Sequence, residues 1–249
     1  MILPLLLSLL LPVESTATLP EQAPPKSCVI LLHGLARTAG SMETMAAGLV
    51  KGGHAVVNVD YPSRDAEIAP LAAAAITGGV KRCEAHAPEV PIDFVTHSLG
   101  GILVRFYLTQ DDIPRLGRVV MLAPPNQGSE VVDNLRDVPG FELINGPAGL
   151  QLGTGEDSVP RQLGPVAFTL GVIAGSETFN PILSQWLPNP DDGKVSVEST
   201  KVEGMSDFLI VAASHPFIMG DDEVISQVLY FLEKGVFRRE SESLEAQGF

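Results

Sequence analysis

In Pro91-Ile92-Asp93-Phe94-Val95-Thr96-His97-Ser98-Leu99-Gly100-Gly101-Ile102-Leu103-Val104, a serine separates an apolar run typical of a buried strand from an apolar run with helical spacing. Residues 94–95 belong to the first run. The second repeats apolar residues at i, i+3, i+4 and i+7, as one face of a helix does, at Leu99, Ile102, Leu103 and Phe106. Ser98 therefore falls on a tight strand-to-helix turn, which requires small neighbours, and Gly100 and Gly101 meet that requirement. Unpaired amides at the start of a helix can hold a negative oxygen, so Ser98 is predicted to be a nucleophile.

The pentapeptide Thr96-His97-Ser98-Leu99-Gly100 resembles the nucleophile elbow G-x-S-x-G of the α/β-hydrolase superfamily, and in particular of its bacterial serine lipases and esterases. Thr96 replaces the first glycine, whereas the second half of the motif fits. The resemblance implies an α/β-hydrolase fold, in which a mostly parallel central sheet is flanked by helices and carries a small cap insertion. The alternation of strand-like and helical segments along the chain also favours a parallel sheet.

A second apolar strand ends in a His-Gly pair in the run Cys28-Val29-Ile30-Leu31-Leu32-His33-Gly34-Leu35. Its unbroken apolar character is typical of a strand covered on both faces. By resemblance to the superfamily, the backbone N–H groups of Leu35 and Leu99 form the oxyanion hole. The side chain of His33 then has a structural role.

The general base is chosen from five histidines. His215 follows the apolar run 208–213, and a parallel strand ends at the same sheet edge as the strand before Ser98, so we predict that His215 is the base. The other histidines are interpreted as structural or surface residues. His97 is expected to point to the opposite side of the turn, His54 precedes a strand and His86 ends a helix.

The acid of the triad is expected between serine and histidine in the chain, as the superfamily order implies. The segment Asp191-Asp192-Gly193-Lys194-Val195 resembles the acid loop of bacterial lipases and esterases, and Asp192 is the candidate. It would orient His215 and stabilise its protonated form. The alternatives are Asp191, Asp157, Asp207, Asp221 and Glu198.

The chain of 249 residues is 45% apolar and predicts one catalytic domain over residues 26–234, followed by a charged tail at 235–249. Residues 130–165 are predicted to form a cap over an acyl pocket, with an ordinary packed insertion as the alternative. Helices are predicted at four places: residues 41–50, 65–86, 99–109 and 221–234.

The N-terminal residues 2–11 form an apolar block of signal-peptide length, and a small-residue site at 15–17 would allow cleavage. Residues 1–17 are therefore predicted to be a signal peptide, and the protein to be exported to the periplasm or secreted. An uncleaved membrane-associated segment is the alternative. Because disulfides persist outside the cytosol, Cys28 and Cys83 could be bonded, with two buried thiols as the other reading.

The net charge of −14 argues against nucleic acid as a partner. No zinc spacing, P-loop, dinucleotide fingerprint or calcium-loop spacing is found in the sequence, so we predict no cofactor and no metal. The interpretation is a serine carboxylic-ester hydrolase acting on a small-molecule or lipid ester, which is compatible with transient contact with a lipid interface. The alternatives are an acyltransferase or amidase on the same triad and, less favoured, a non-catalytic binding protein.

Overall fold

A computed structural model describes residues 23–178 and 181–239, and its centre is a six-stranded sheet in the order β2-β1-β3-β4-β5-β6. All neighbouring strands are parallel. The strands are β1 (Cys28–Leu32), β2 (Ala55–Val59), β3 (Ile92–His97), β4 (Leu116–Leu122), β5 (Leu170–Gly175) and β6 (Asp207–Val211). The predicted α/β fold with a mostly parallel sheet is confirmed.

Helices cover both faces of this sheet. The helices of the described residues are α1 (Glu43–Lys51), α2 (Ile68–His86), α3 (Leu99–Gln110), α4 (Glu130–Leu135), α5 (Phe141–Leu150), α6 (Val159–Gln162), α7 (Pro181–Ser184) and α8 (Asp222–Lys234). Helices α2 and α3 pack on one face of the sheet, and α1 and α8 on the other. The four predicted helices correspond to α1, α2, α3 and α8. The largest difference is at the start of α2, which begins at residue 68 rather than 65. None of the helices in the described residues is both long enough and apolar enough to span a bilayer.

The two faces of β1 explain its unbroken apolar sequence. Successive side chains of a strand point to opposite faces. Ile30 and Leu32 pack with α2 and α3, whereas Val29 and Leu31 pack with α1 and α8, and all four are fully buried. Both faces of β1 therefore meet apolar side chains of the helices, which accounts for its wholly apolar sequence.

The strand order reverses beside β1, which pairs with β2 on one side and with β3 on the other. In open α/β sheets, ligands bind outside the carboxyl ends of the strands at such a reversal. The loops after β1 and β3 meet there, and they contain Leu35 and Ser98. A ligand site is therefore expected at this edge of the sheet.

A disulfide joins Cys28 at the start of β1 to Cys83 in the last turn of α2, with 5.7 Å between their Cα atoms. Helix α2 returns the chain from β2 across β1 to β3, so its C-terminal end lies at the start of β1. Of the two readings left open by the sequence, the structure contains the bonded pair.

The first residues of the predicted charged tail belong to the folded unit. The Phe237 ring is buried against Phe231, and its amide donates to the Asp207 carboxylate. The structure thus extends the packed region past the predicted boundary at 234, because an aromatic side chain within the tail covers α8. The predicted signal peptide at 1–17 lies outside the described residues, as do residues 240–249.

Candidate active site

Ser98 occupies the turn between β3 and α3 with a strained backbone. Its φ of 51° and ψ of −119° lie where a residue with a side chain is rarely found. Its amide donates to the Leu122 carbonyl at 2.9 Å. A Cβ added to Gly100 would approach the Leu32 carbonyl oxygen to 2.6 Å, so this position must be glycine for α3 to lie so close to β1. The sequence therefore predicted this turn from the right residues.

The glycine missing at position 96 is not required by this packing. Thr96 is fully buried in β3. The close approach is made instead by Gly34, where an added Cβ would lie 2.7 Å from the His97 ring and 3.2 Å from the Ser98 Cβ. The small residue beside the nucleophile thus comes from the loop after β1.

The structure brings Ser98, His215 and Asp192 together in one hydrogen-bonded chain. His215 Nε2 lies 3.1 Å from Ser98 Oγ, and His215 Nδ1 lies 2.7 Å from Asp192 Oδ2. A carboxylate accepts the Nδ1 proton, which leaves Nε2 free to accept the serine proton. The three side chains are at most 8% exposed, so water competes little for these bonds. This geometry allows proton transfer from the serine hydroxyl to the imidazole.

Asp192 is fixed by the loop that follows it. Its Oδ1 accepts hydrogen bonds from the amides of Lys194 and Val195 at 2.9 and 2.8 Å. Its carbonyl accepts from the amide of His215, so backbone and side chain both join these two residues. Gly193 turns the loop with a φ of 94°. The D-G-x-V pattern thus corresponds to a turn that supplies donors to one carboxylate oxygen and leaves the other for the imidazole.

The alternative acids are engaged elsewhere. Asp191 accepts from Ser184 Oγ at 2.6 Å and from the Gly193 amide at 2.7 Å, which gives it a role in shaping the loop. The others cap a helix, pair with a cation or lie exposed, and in the described part of the chain no hydrogen bond joins any of them to His215: Asp157, Asp207, Asp221 and Glu198.

His97 lies against the predicted base. Its Nε2–H donates to the His215 carbonyl at 3.0 Å, and the two rings are 4.8 Å apart. Burial, together with His215 and Arg37 nearby, holds the pKa of the His97 ring well below its usual value, so the ring stays neutral. The sequence analysis placed this side chain on the opposite side of the turn. The difference arises because the loop carrying His215 folds back over the elbow, which sequence periodicity does not reveal.

The remaining histidines have structural contacts. His33 stacks on Tyr61 with ring centroids 4.1 Å apart, as expected of a structural side chain. His54 Nδ1 lies 2.8 Å from the hydroxyl of Ser27, which precedes β1. This contact is at the other end of the sheet from Ser98. His86 Nδ1 lies 2.6 Å from the Arg82 carbonyl oxygen, one turn earlier in α2.

Two backbone amides lie beside the serine as candidate oxyanion donors. Leu99 begins α3, where amides have no partner within the helix, and Leu35 lies in the loop after β1. Neither amide has an acceptor among residues 23–178 and 181–239. An oxygen that formed on a carbonyl attacked by Ser98 could be held by such donors.

A cavity of about 480 Å³ opens above Ser98. The segment predicted as the cap supplies most of its apolar wall, through Val131, Val132, Leu135, Val138, Phe141, Ile144 and Leu152. Ile144 is 61% exposed and its neighbour Leu143 is 85% exposed, so apolar surface continues from the cavity to the outside. The wall fits an apolar chain beside the serine.

Sequence reasoning missed two cations in this cavity, Arg37 and Lys194. Arg37 lies two residues after Leu35, and Lys194 lies two residues after Asp192. Residues this close to predicted site residues, on the same loops, were a signal that could have identified them.

The sequence matches the profile of one protein family over most of its length. The profile described as "Alpha/beta hydrolase family" matches residues 29–227. No curated protein matches the sequence significantly.

Solved structures resemble this fold at low sequence identity. A Bacillus licheniformis lipase, BlEst2 in its mature form, is 16% identical with a TM-score of 0.67, over 86% of this chain and 95% of its own. An esterase from Thermogutta terrifontis is 15% identical with a TM-score of 0.58, over 85% and 91%. Lipase B of Aspergillus fumigatus is 14% identical with a TM-score of 0.61, over 84% and 52%. With the family profile spanning most of the sequence, the chain belongs to the alpha/beta hydrolase family.

Proposed function

We propose that this protein hydrolyses carboxylic esters through an acyl-enzyme on Ser98. The observation that carries the proposal is the buried hydrogen-bonded chain from Ser98 through His215 to Asp192, at 3.1 and 2.7 Å, beneath a cavity with an apolar wall. Membership of the alpha/beta hydrolase family and likeness in fold to lipases and esterases support hydrolysis as the reaction class.

The geometry accommodates the two halves of the reaction. Ser98 Oγ attacks the ester carbonyl while His215 Nε2 takes its proton, and Asp192 stabilises the imidazolium that forms. The amides of Leu35 and Leu99 hold the oxyanion, each worth about 3 kcal/mol in the transition state. His215 returns the proton to the departing alcohol, and the same groups then activate water to release the acid.

The first test follows hydrolysis of 4-nitrophenyl esters of increasing acyl length. We expect Ser98→Ala to lower kcat by about 10⁶ and to abolish labelling by a fluorophosphonate. Ser41→Ala, a change at a serine outside the cavity lining, is the matched control and should keep both. Label on a residue other than Ser98, or full activity of Ser98→Ala, would overturn the proposal.

The reaction run with an added alcohol or amine separates hydrolysis from the transfer alternative. An acyl-enzyme opened by water yields only the acid, whereas a transferase yields the new ester or amide in proportion to the acceptor. A non-catalytic binder would release no product at all.

We also propose that the protein is exported. The disulfide between Cys28 and Cys83 supports this location, because such bonds persist in oxidising compartments. Expression of the whole chain in a bacterium, followed by N-terminal sequencing of the extracytoplasmic fraction, tests it. A start near residue 18 is expected, and a chain found only in the cytosol would contradict the proposal.

A further inference from the structure

The charged side chains of the cavity are unequally distributed. Arg37 and Lys194 both line it. Asp192 is the only carboxylate among the described lining residues, and its oxygens are already occupied by a ring nitrogen and two backbone amides. The lining of the cavity above Ser98 therefore carries two positive charges against one carboxylate, whose oxygens are already engaged.

Neither cation is held in an ion pair in the described part of the chain. Both side chains are exposed at the cavity rim, and no ion pair or side-chain hydrogen bond joins Arg37 or Lys194 to another residue in the described ranges. Desolvation of the ammonium, followed by the charge of Arg37, lowers the pKa of Lys194, whereas Asp192 raises it. The effect of Arg37 reflects repulsion between the two cations. An anion between them would relieve this repulsion.

The two cations of the cavity are opposite in sign to the net charge of the whole chain. A protein with a net charge of −14 repels anions at long range. That repulsion is screened beyond roughly 8 Å at physiological salt, so charges at the site decide what binds there. Two unpaired cations at the mouth of one cavity are a local exception to the sign of the molecule.

The cations and the apolar wall come from different parts of the chain. Arg37 lies on the loop after β1 and Lys194 on the loop after β5, whereas the wall is formed by residues 131–152. Ser98 lies at the base of the cavity that both line. An ester bound at Ser98 can therefore place an apolar group on the wall and a charged group at the cations.

We propose that the preferred substrate is an ester with an apolar acyl chain and an anionic alcohol portion, whose phosphate or carboxylate is bound by Arg37 and Lys194. Arginine suits either anion because its planar guanidinium donates two parallel hydrogen bonds, and lysine adds a point charge. This inference rests on the proposed ester hydrolysis and names its substrate class.

The test compares two esters that share the acyl group and the ester bond: 1-hexanoylglycerol 3-phosphate and 1-hexanoylglycerol. We expect kcat/KM to favour the phosphate ester, and each of Arg37→Gln and Lys194→Gln to lower that preference roughly tenfold. The corresponding glyceric acid ester shows whether a carboxylate is accepted equally well. Rates are expressed per serine labelled by a neutral fluorophosphonate, so unfolded protein does not affect the ratio.

A matched control removes the same two charges elsewhere. Lys51→Gln/Lys81→Gln changes two exposed lysines outside the cavity lining and should keep the wild-type preference. Binding is read separately, since glycerol 3-phosphate should slow fluorophosphonate labelling of wild type but not of Arg37→Gln/Lys194→Gln.

An equal preference in wild type and Arg37→Gln/Lys194→Gln, or a wild type that favours the neutral ester, would overturn the anion site while leaving ester hydrolysis intact. Failure of wild type to cleave any ester, with Ser98 unreactive toward the fluorophosphonate, would overturn the proposed function and the inference with it.

Discussion

At the scale of single residues, the site depends on a serine held in an unfavourable backbone conformation. Angles such as those of Ser98 cost about 1–3 kcal/mol and persist only where the surroundings impose them. Here the hydrogen bond to Leu122 and the close packing at Gly34 and Gly100 impose them. The hydroxyl is thereby fixed toward His215 before substrate arrives.

Two adjacent carboxylates allow a sharp test of the acid. Asp192→Asn should lower kcat about 10⁴-fold, because an amide in place of the carboxylate favours the wrong histidine tautomer. Asp191→Asn is the control, since the Asp191 carboxylate accepts from Ser184 at the end of α7 and from the Gly193 amide, and it should change stability more than kcat. Kinetics with a 4-nitrophenyl ester decide between them. A large kcat loss in Asp191→Asn alone would mean that Asp192 is not the acid.

The residues that meet at the site were predictable because each depends on a strong local signal or on chain order. Ser98 has its elbow, His215 follows the apolar run 208–213, and Asp192 lies in a D-G-x-V segment between them, in the expected chain order. Their catalytic roles stay predictions. The contact of His97 with His215 could not be predicted, because it depends on how a loop folds over the sheet.

At the scale of secondary-structure elements, β1 was predictable because a strand buried on both faces is apolar, and all five of its residues are. β3 carries Asp93, Thr96 and His97 and was recognised instead from Phe94, Val95 and the elbow that follows. The last strand ends before its apolar run does: β6 ends at residue 211, whereas the run continues to 213. The acid loop lies well beyond β5. Its position is set by hydrogen bonds to Asp192 rather than by any periodic pattern.

Helix α3 anchors both ends of the predicted cap through Arg105. This buried guanidinium donates to the Asn126 and Gly164 carbonyls at 3.0 and 2.6 Å, and burial lowers its pKa to about 10. Arg105→Met should leave those carbonyls unpaired and lower the free energy of unfolding by about 1–3 kcal/mol. Hydrogen exchange should quicken across residues 126–165 more than in β1. Unchanged exchange there would refute the anchoring role.

The disulfide connects β1 to α2 across a sequence separation of 55 residues. In the chain-entropy account, closing such a loop stabilises the fold by about 4 kcal/mol. Cys28→Ala/Cys83→Ala should therefore unfold at lower urea concentration than the oxidised wild type, and wild type treated with reductant should shift in the same direction. Coincident unfolding curves for all three would show that the bond contributes nothing.

At the scale of the whole molecule, buried neutral histidines link stability to pH. Burial is the main cause that lowers the pKa of His33, His54 and His97 below the usual 6.5. The unfolded chain then binds protons more readily than the native chain. Stability is fully present above about pH 6.5 and is lost as the pH falls below it.

Each such histidine contributes at most about 1.4 kcal/mol per pH unit. His97→Gln should make the free energy of unfolding fall less steeply between pH 7.5 and 5.5, because one histidine no longer takes up a proton on unfolding. Urea titrations at three pH values measure the slope. A variant slope equal to the wild-type slope would show that His97 is not held neutral.

The most direct measurement is rapid acid quenching of the protein during turnover of a 4-nitrophenyl ester, followed by mass analysis of its peptides. We expect a single acyl group on Ser98, formed in a burst of nitrophenol equal to the concentration of active protein. Steady nitrophenol release with no covalent adduct, or an adduct on another residue, would contradict the account.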